Sequence, residues 1–186
     1  KVTPVETHEN SEARQLLLDS PVVKKLNAVL EKRLARYKRD NGPSRRPRLA
    51  TLFVTDALGT IITIGYGESV SFEKNSAGKN FCYRTYFHGD REDLGKDEVR
   101  IGEIKPLTQT RLSSAFSSTA TNLWKVAVST PIYLSEDRTS PDAVFVVTLN
   151  LGDFELLQSE QGANQVAVLV EAPEGAARGL ILQHPL

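Results

Sequence analysis

The sequence predicts an α+β fold in which a long, kinked N-terminal helix packs on a central antiparallel β-sheet, with a ligand cavity on the sheet's other side. Three observations carry this expectation. An apolar stripe recurs at helical spacing near the start of the chain. Apolar runs of strand length, joined by short turns, fill most of the remaining length. A loop dense in aromatics interrupts those runs. The chain has 186 residues, which suits one domain with its own core. We expect a single domain over 1–186, with the long helix at 10–40, the sheet and pocket loop at 49–151, and a short helix and terminal hairpin at 152–186.

Residues 1–9 are polar and are expected to fray. Asn10 and Ser11 precede Glu12–Gln15 and Leu16–Leu18, an N-cap signal ahead of an apolar run. Asp19-Ser20-Pro21 interrupts that run. Proline suits the first turn of a new helix, with Ser20 as its cap. The second helix is expected to run to about Arg39, with Val22, Leu26, Leu30, Leu34 and Tyr37 forming one stripe. Asn41-Gly42-Pro43 is a stop signal. Lys24, Lys25, Lys32, Arg33, Arg36, Lys38, Arg39, Arg45, Arg46 and Arg48 make this region basic. Such a cluster can neutralise phosphates. We read it instead as a solvated helix face, because Tyr37 is the one aromatic among these residues.

Leu49–Thr55 and Thr60–Tyr66 read as a hairpin across Asp56-Ala57-Leu58-Gly59, with Gly59 free to take positive φ. Residues 89–110 read as a polar excursion from the sheet, and long loops in compact domains are often functional. Arg111–Ser118, Leu123–Tyr133 and Val144–Leu151 read as further strands. Gly152–Ser159 reads as a short helix, and Gln165–Glu171 with Arg178–His184 as a last hairpin. Strands joined by short turns favour antiparallel pairing.

Side chains alternate across a strand. In Leu123–Tyr133 one face carries Trp124, Val126, Val128, Thr130 and Ile132, and we expect it under the helix. The other face carries Lys125, Ser129 and Tyr133, residues that suit a lined pocket. Val144–Leu151 splits likewise, with Phe145, Val147, Leu149 and Leu151 toward the helix and Thr148 toward the pocket.

Composition narrows the function classes. Lys and Arg number 23, as do Asp and Glu, so no global field favours nucleic acid or a membrane surface. The single cysteine, Cys82, excludes an intrachain disulfide and a multi-cysteine metal site. No apolar run reaches the roughly 18 residues of a membrane span. The chain begins with Lys1 and contains no methionine, and we expect it to be an excised piece whose membrane segments lie outside it. His8, His88 and His184 are the histidines, and no His-x-x-x-His, nucleophile elbow or glycine-rich phosphate loop is present. Cys82 and His88 share one short loop with no third group to orient them. Catalysis by this chain is therefore not expected, and neither a cofactor nor a metal is expected.

The most informative stretch is Asn80–Gly89, which places four aromatics and a histidine around Arg84. A guanidinium keeps its charge and offers a fork of donors that fits a carboxylate or phosphate. Aromatic walls with one cationic anchor hold a small anion well. The alternative is a surface arginine on a loop whose aromatics plug the core. With Arg84 as anchor, Lys125 would add positive charge, Ser129 and Tyr133 would donate hydrogen bonds, Tyr83 or Tyr86 would wall the site, and Thr148 would join them.

Phe81-Cys82-Tyr83-Arg84-Thr85-Tyr86-Phe87 resembles the Arg-x-Tyr-Phe signature of Cache domains, the extracytoplasmic PAS-like sensor modules. Trp124 followed by Val128-Ser129-Thr130-Pro131-Ile132-Tyr133 resembles the strand of those domains that ends in Ser-x-Pro-Ile/Tyr. Gly179-Leu180-Ile181-Leu182-Gln183-His184-Pro185 resembles their terminal Gly-x-Ile-x-x-His-Pro strand. The resemblance covers the chain from about residue 10 to its end, and matches Arg84, Tyr86 and Ser129 to family positions. It implies a PAS-like sheet beside a ligand cavity, and a periplasmic domain of an inner-membrane receptor. It also implies signal transduction to a cytoplasmic kinase, cyclase or chemotaxis module. The ligand expected is a small anion such as a carboxylate or amino acid. The partner expected is a second copy paired through the N-terminal helix, and nucleic acid is not expected. The competing expectation is a ligand-free dimerisation or protein-interaction module.

Overall fold

A computed structural model describes residues 11–41, 49–67, 69–151, 169–170 and 181–183. Two helices open the chain, α1 (Ser11–Asp19) and α2 (Pro21–Asn41). They meet at Ser20, whose N–H donates to Leu16 O at 3.1 Å and whose carbonyl accepts from Lys24 N at 2.9 Å. Pro21 has no amide to satisfy, which suits the first position of α2.

Six strands form one sheet: β1 (Leu49–Asp56), β2 (Ile61–Tyr66), β3 (Arg111–Leu112), β4 (Phe116–Ser117), β5 (Trp124–Ile132) and β6 (Ala143–Asn150). Their order is β2-β1-β6-β5-β3, with β4 also beside β5, and every pairing is antiparallel. The class is therefore α+β. A single helical turn, α3 (Thr85–His88), lies in the connection between β2 and β3. Short strands β7 (Leu169–Val170) and β8 (Ile181–Gln183) pair antiparallel at the positions expected of the terminal hairpin. The expected frayed start, the helix at 152–159, Arg45, Arg46 and Arg48 lie outside the described residues.

The β1–β2 turn forms as its residue types require. Asp56 Oδ1 accepts from Leu58 N at 2.9 Å and Thr60 N at 2.8 Å. Gly59 takes φ +88°, and a Cβ there would lie 2.7 Å from Cys82 Cα. Glycine thus serves both the turn and the close approach of the aromatic loop.

Helix α2 packs chiefly over β2 and β1. A Cβ on Gly65 would lie 2.7 Å from Leu30 Cβ, so the helix approaches β2 closely. Asn27 Oδ1 accepts from Thr63 Oγ1 at 2.6 Å and from the Ile64 amide at 3.0 Å. The inward stripe is Val23, Asn27, Leu30, Leu34 and Tyr37. This corrects the expected stripe in its first half, where Val22 and Leu26 are 66% and 43% exposed. The reason is Asn27, a polar residue that turns inward to serve β2 and carries Val23 with it.

Two further expectations change. The run 111–118 is two short strands, because Ser113 breaks the ladder. Its hydroxyl accepts from Ala127 N at 2.9 Å while its own N–H donates to Ala127 O at 2.8 Å. The apolar face of β5 is also not under α2. Val128 is 38% exposed, and Trp124, Val126, Thr130 and Ile132 are only partly buried. The chain passes from α2 into β1, so the helix stays at the β2–β1 side and β5 lies farther across the sheet.

The opposite face carries the core. Phe53, Ile61, Ile64, Ala127, Val144 and Val146 pack there against Ala77, Phe81, Tyr83, Tyr86, Phe87, Val99 and Leu107 from the long connection.

Candidate functional site

A small cavity of about 40 Å³ opens between this face and the long connection. That is room for a few water-sized groups. Its floor is Thr51 and Phe53 of β1, Ile64 and Tyr66 of β2, Lys125 of β5 and Thr148 of β6. Its walls include Ser76, Phe81, Arg84, Tyr86, Phe116 and the turn 117–120.

Strand register puts the polar floor together. Thr148 pairs with Thr51 on one side and Ala127 on the other. The two threonine hydroxyls lie 2.6 Å apart, and Thr148 Oγ1 accepts from Thr51 N at 3.0 Å. Lys125 stands between Phe116 of β4 and Asn150 of β6, and is 3% exposed. At the opposite wall the Tyr66 hydroxyl accepts from Ser76 N at 2.7 Å. Burial raises the Tyr66 phenol above its ordinary pKa.

Arg84 caps α3 with extended backbone, φ −83° and ψ 142°. Its Nη1 donates to Asp93 Oδ2 at 2.6 Å and its Nη2 to Ser117 O at 3.2 Å. Asp93 Oδ1 also accepts from Thr85 N at 2.8 Å, so one carboxylate fixes both the guanidinium and the start of the helical turn. The guanidinium carbon lies 5.0 Å from the Tyr83 ring centroid and 5.2 Å from that of Phe116. Burial pulls the Arg84 pKa down, but Tyr83, Tyr86 and Asp93 together outweigh it and hold it above the usual value. The charge is permanent under any working condition. Tyr86 is wholly buried, and that burial drives its phenol pKa well upward. Cys82 is buried too, and burial pushes its thiol up to about 11. A thiol so placed is inert at neutral pH. His88 belongs to the framework, with Nε2 3.0 Å from Tyr83 O and Nδ1 3.1 Å from Asp90 N.

Of the residues expected at the site, Arg84, Tyr86, Lys125 and Thr148 line the cavity. Tyr83 does not, since its ring flanks the guanidinium instead. Ser129 lies on the cavity face of β5 but farther along, between Arg111 and Val146, with a buried hydroxyl that has no hydrogen-bond partner among the described residues. Tyr133 comes just after the last residue of β5, and its hydroxyl donates to Thr108 O at 3.3 Å. Sequence reasoning missed Thr51, Tyr66 and Ser76. Alternation applied to the β1–β2 hairpin would have placed the first two on this face. Asp93 had no signal.

No family model matches the sequence, and no curated protein matches it. Among the described residues no group of three or more His, Cys, Asp or Glu residues could hold a metal ion. Among them, too, no helix is long and apolar enough to cross a membrane.

Proposed function

We propose that this chain is a Cache-like, extracytoplasmic sensor domain of a membrane signalling receptor, and that it binds a small anion such as a short carboxylate or amino acid. One observation carries the reading. The charged residues lining the cavity are Arg84 and Lys125, both cationic, set among the hydroxyls of Thr51, Tyr66, Ser76 and Thr148. Burial of the Lys125 and Arg84 side chains strengthens electrostatic contacts made to them. Asp93 already holds Arg84 Nη1, so a bound anion meets Lys125 and the remaining guanidinium donors. The volume favours ligands of a few heavy atoms. In this reading α1 and α2 act as one kinked helix that reports occupancy, and the output is a kinase, cyclase or chemotaxis module outside this chain. Differential affinity for two helix packings is what transmits the signal.

A thermal-shift screen of formate, acetate, propionate, glycine and methylamine tests the reading. Ligand at about 100 times its dissociation constant stabilises by roughly 2.7 kcal/mol. The carboxylates should raise Tm of the wild type and not of Lys125→Met, while methylamine does nothing. Equal shifts in both proteins would remove the site assignment.

A second reading rests on the exposed Val22, Leu26 and Val29 of α2. These fall on one helical side and suit pairing with a second copy of the chain, in a ligand-free dimerisation module or alongside sensing. Sedimentation equilibrium of the wild type against Leu26→Glu decides it. A dimer that Leu26→Glu dissociates supports pairing, and a wild type that is monomeric throughout ends it.

A further inference from the structure

We infer that Arg14 is a positioning residue for the cavity wall, and that it ties helix α1 to the state of the cavity. The inference deepens the sensor reading and rests on it for its biological meaning.

Arg14 projects from α1 and is 6% exposed, an unusual depth for an arginine whose hydrogen bonds go to backbone carbonyls. Its Nε donates to Ala77 O at 3.1 Å. Its Nη2 donates to Asn75 O at 2.8 Å and to Phe72 O at 3.3 Å. Its guanidinium carbon lies 4.7 Å from the Phe72 ring centroid. One planar fork thus grips three carbonyls of a single loop, which an ammonium on a flexible stem does not reproduce. Gly78 closes the joint. It takes φ +77°, and a Cβ there would lie 2.8 Å from Arg14 Cγ. The loop and the helix meet with no slack between them.

The gripped loop is also cavity wall. Ser76 sits between two of the gripped residues, lines the cavity, and donates its N–H to the Tyr66 hydroxyl, another lining group. Asn75 Oδ1 accepts from Ala77 N at 2.9 Å and stiffens the same three residues. Residues 75–77 are therefore held from the cavity side by Tyr66 and from the helix side by Arg14. An occupant that presses on Ser76 or takes the Tyr66 hydroxyl moves this segment, and the segment moves Arg14. Through Ser20, α1 runs into α2. Coupling of this kind is reciprocal, so ordering of α1 must in turn favour one setting of the cavity wall.

The test needs no ligand, so its outcome is separate from that of the carboxylate screen. Hydrogen exchange is followed on the whole chain for wild type, Arg14→Lys and Tyr66→Phe, with β5 and β6 amides as the internal check of folding. Arg14→Lys should speed exchange roughly tenfold both in α1 and over 72–79, the size expected on losing a charge-assisted hydrogen bond. Tyr66→Phe is the discriminating variant, because the hydrogen bond it removes goes to Ser76 and not to α1. It should speed exchange in α1 several-fold as well as in the loop. Faster exchange over 72–79 with α1 unchanged in Tyr66→Phe would overturn the inference. Unchanged exchange in both segments of Arg14→Lys would overturn it too. Should Arg14→Lys lose protection in β5 and β6, Tyr66→Phe alone decides.

Discussion

The two faces of the sheet are made by the same strands, yet they are filled in different ways. Toward the cavity, Phe53, Val144 and Val146 meet aromatics delivered by a loop, and buried hydroxyls and cations sit among them. Toward α2, the cover stops at β1 and β2, leaving Val128 exposed and Phe145 and Val147 half-buried. The more polar face is the better buried one. Burying polar groups costs free energy unless they are partnered. On the tightly packed face Thr51 and Thr148 meet that cost by bonding to each other, whereas the open face leaves the apolar Val128 to solvent.

Substitutions test this contrast. The largest effect belongs to Phe87, fully buried on the cavity side. Phe87→Ala should lose about 3–5 kcal/mol in urea unfolding. Asp93→Ala comes next. It strips Arg84 of its partner and Thr85 N of its acceptor, and should cost about 2 kcal/mol, discounted from a fully buried pair because both side chains are partly exposed. Asp93→Asn should recover part of that loss by keeping an acceptor at Thr85 N.

Cys82 gives a smaller, pH-dependent effect. Its folded pKa of about 11 lies above the ordinary 9.0. The unfolded chain therefore releases the thiol proton first. The thiol's contribution is fully present below about pH 9 and is lost as pH rises toward about 11. Cys82→Ala should flatten that decline in a stability–pH profile, and the native thiol should resist iodoacetamide at pH 8 until the protein is unfolded. The smallest effect is expected on the open face. Val128→Thr should change stability by no more than about 0.5 kcal/mol, as at other surface positions. A loss of about 2 kcal/mol there would mean that this face is covered in solution and would undo the contrast.

The division between the faces also separates what the sequence made legible from what it did not. Alternation put Lys125, Ser129 and Thr148 on the face where the structure has them, because that choice is set by the strand period alone. It did not say what covers either face, so Trp124 and Val126 were expected beneath a helix that does not reach them. The helix stripe was misread where Asn27 takes an inward place that apolar counting gives to Leu26. The strand at 111–118 was read through Ser113 because a hydroxyl standing in for part of a ladder has no pattern. Arg84 stood out for its charge among aromatics. Its partner Asp93 lies in a run of charged residues, Arg91-Glu92-Asp93, in which nothing marks one acid as structural. Tyr133 has the right parity but stands past the end of the strand.

The bond from Asn27 to the Ile64 amide has a consequence beyond holding a helix in place. Strand β2 is the last in its sheet, and an edge with free amides is a template onto which a strand from another chain can add. Asn27 occupies one of those amides, and Lys38 takes the Gly67 carbonyl just past the strand's end at 2.7 Å. Ile61, toward the strand's start, exchanges backbone hydrogen bonds with Lys79 and Gly78 of the long connection, so helix and loop together occupy backbone groups that an added strand would need.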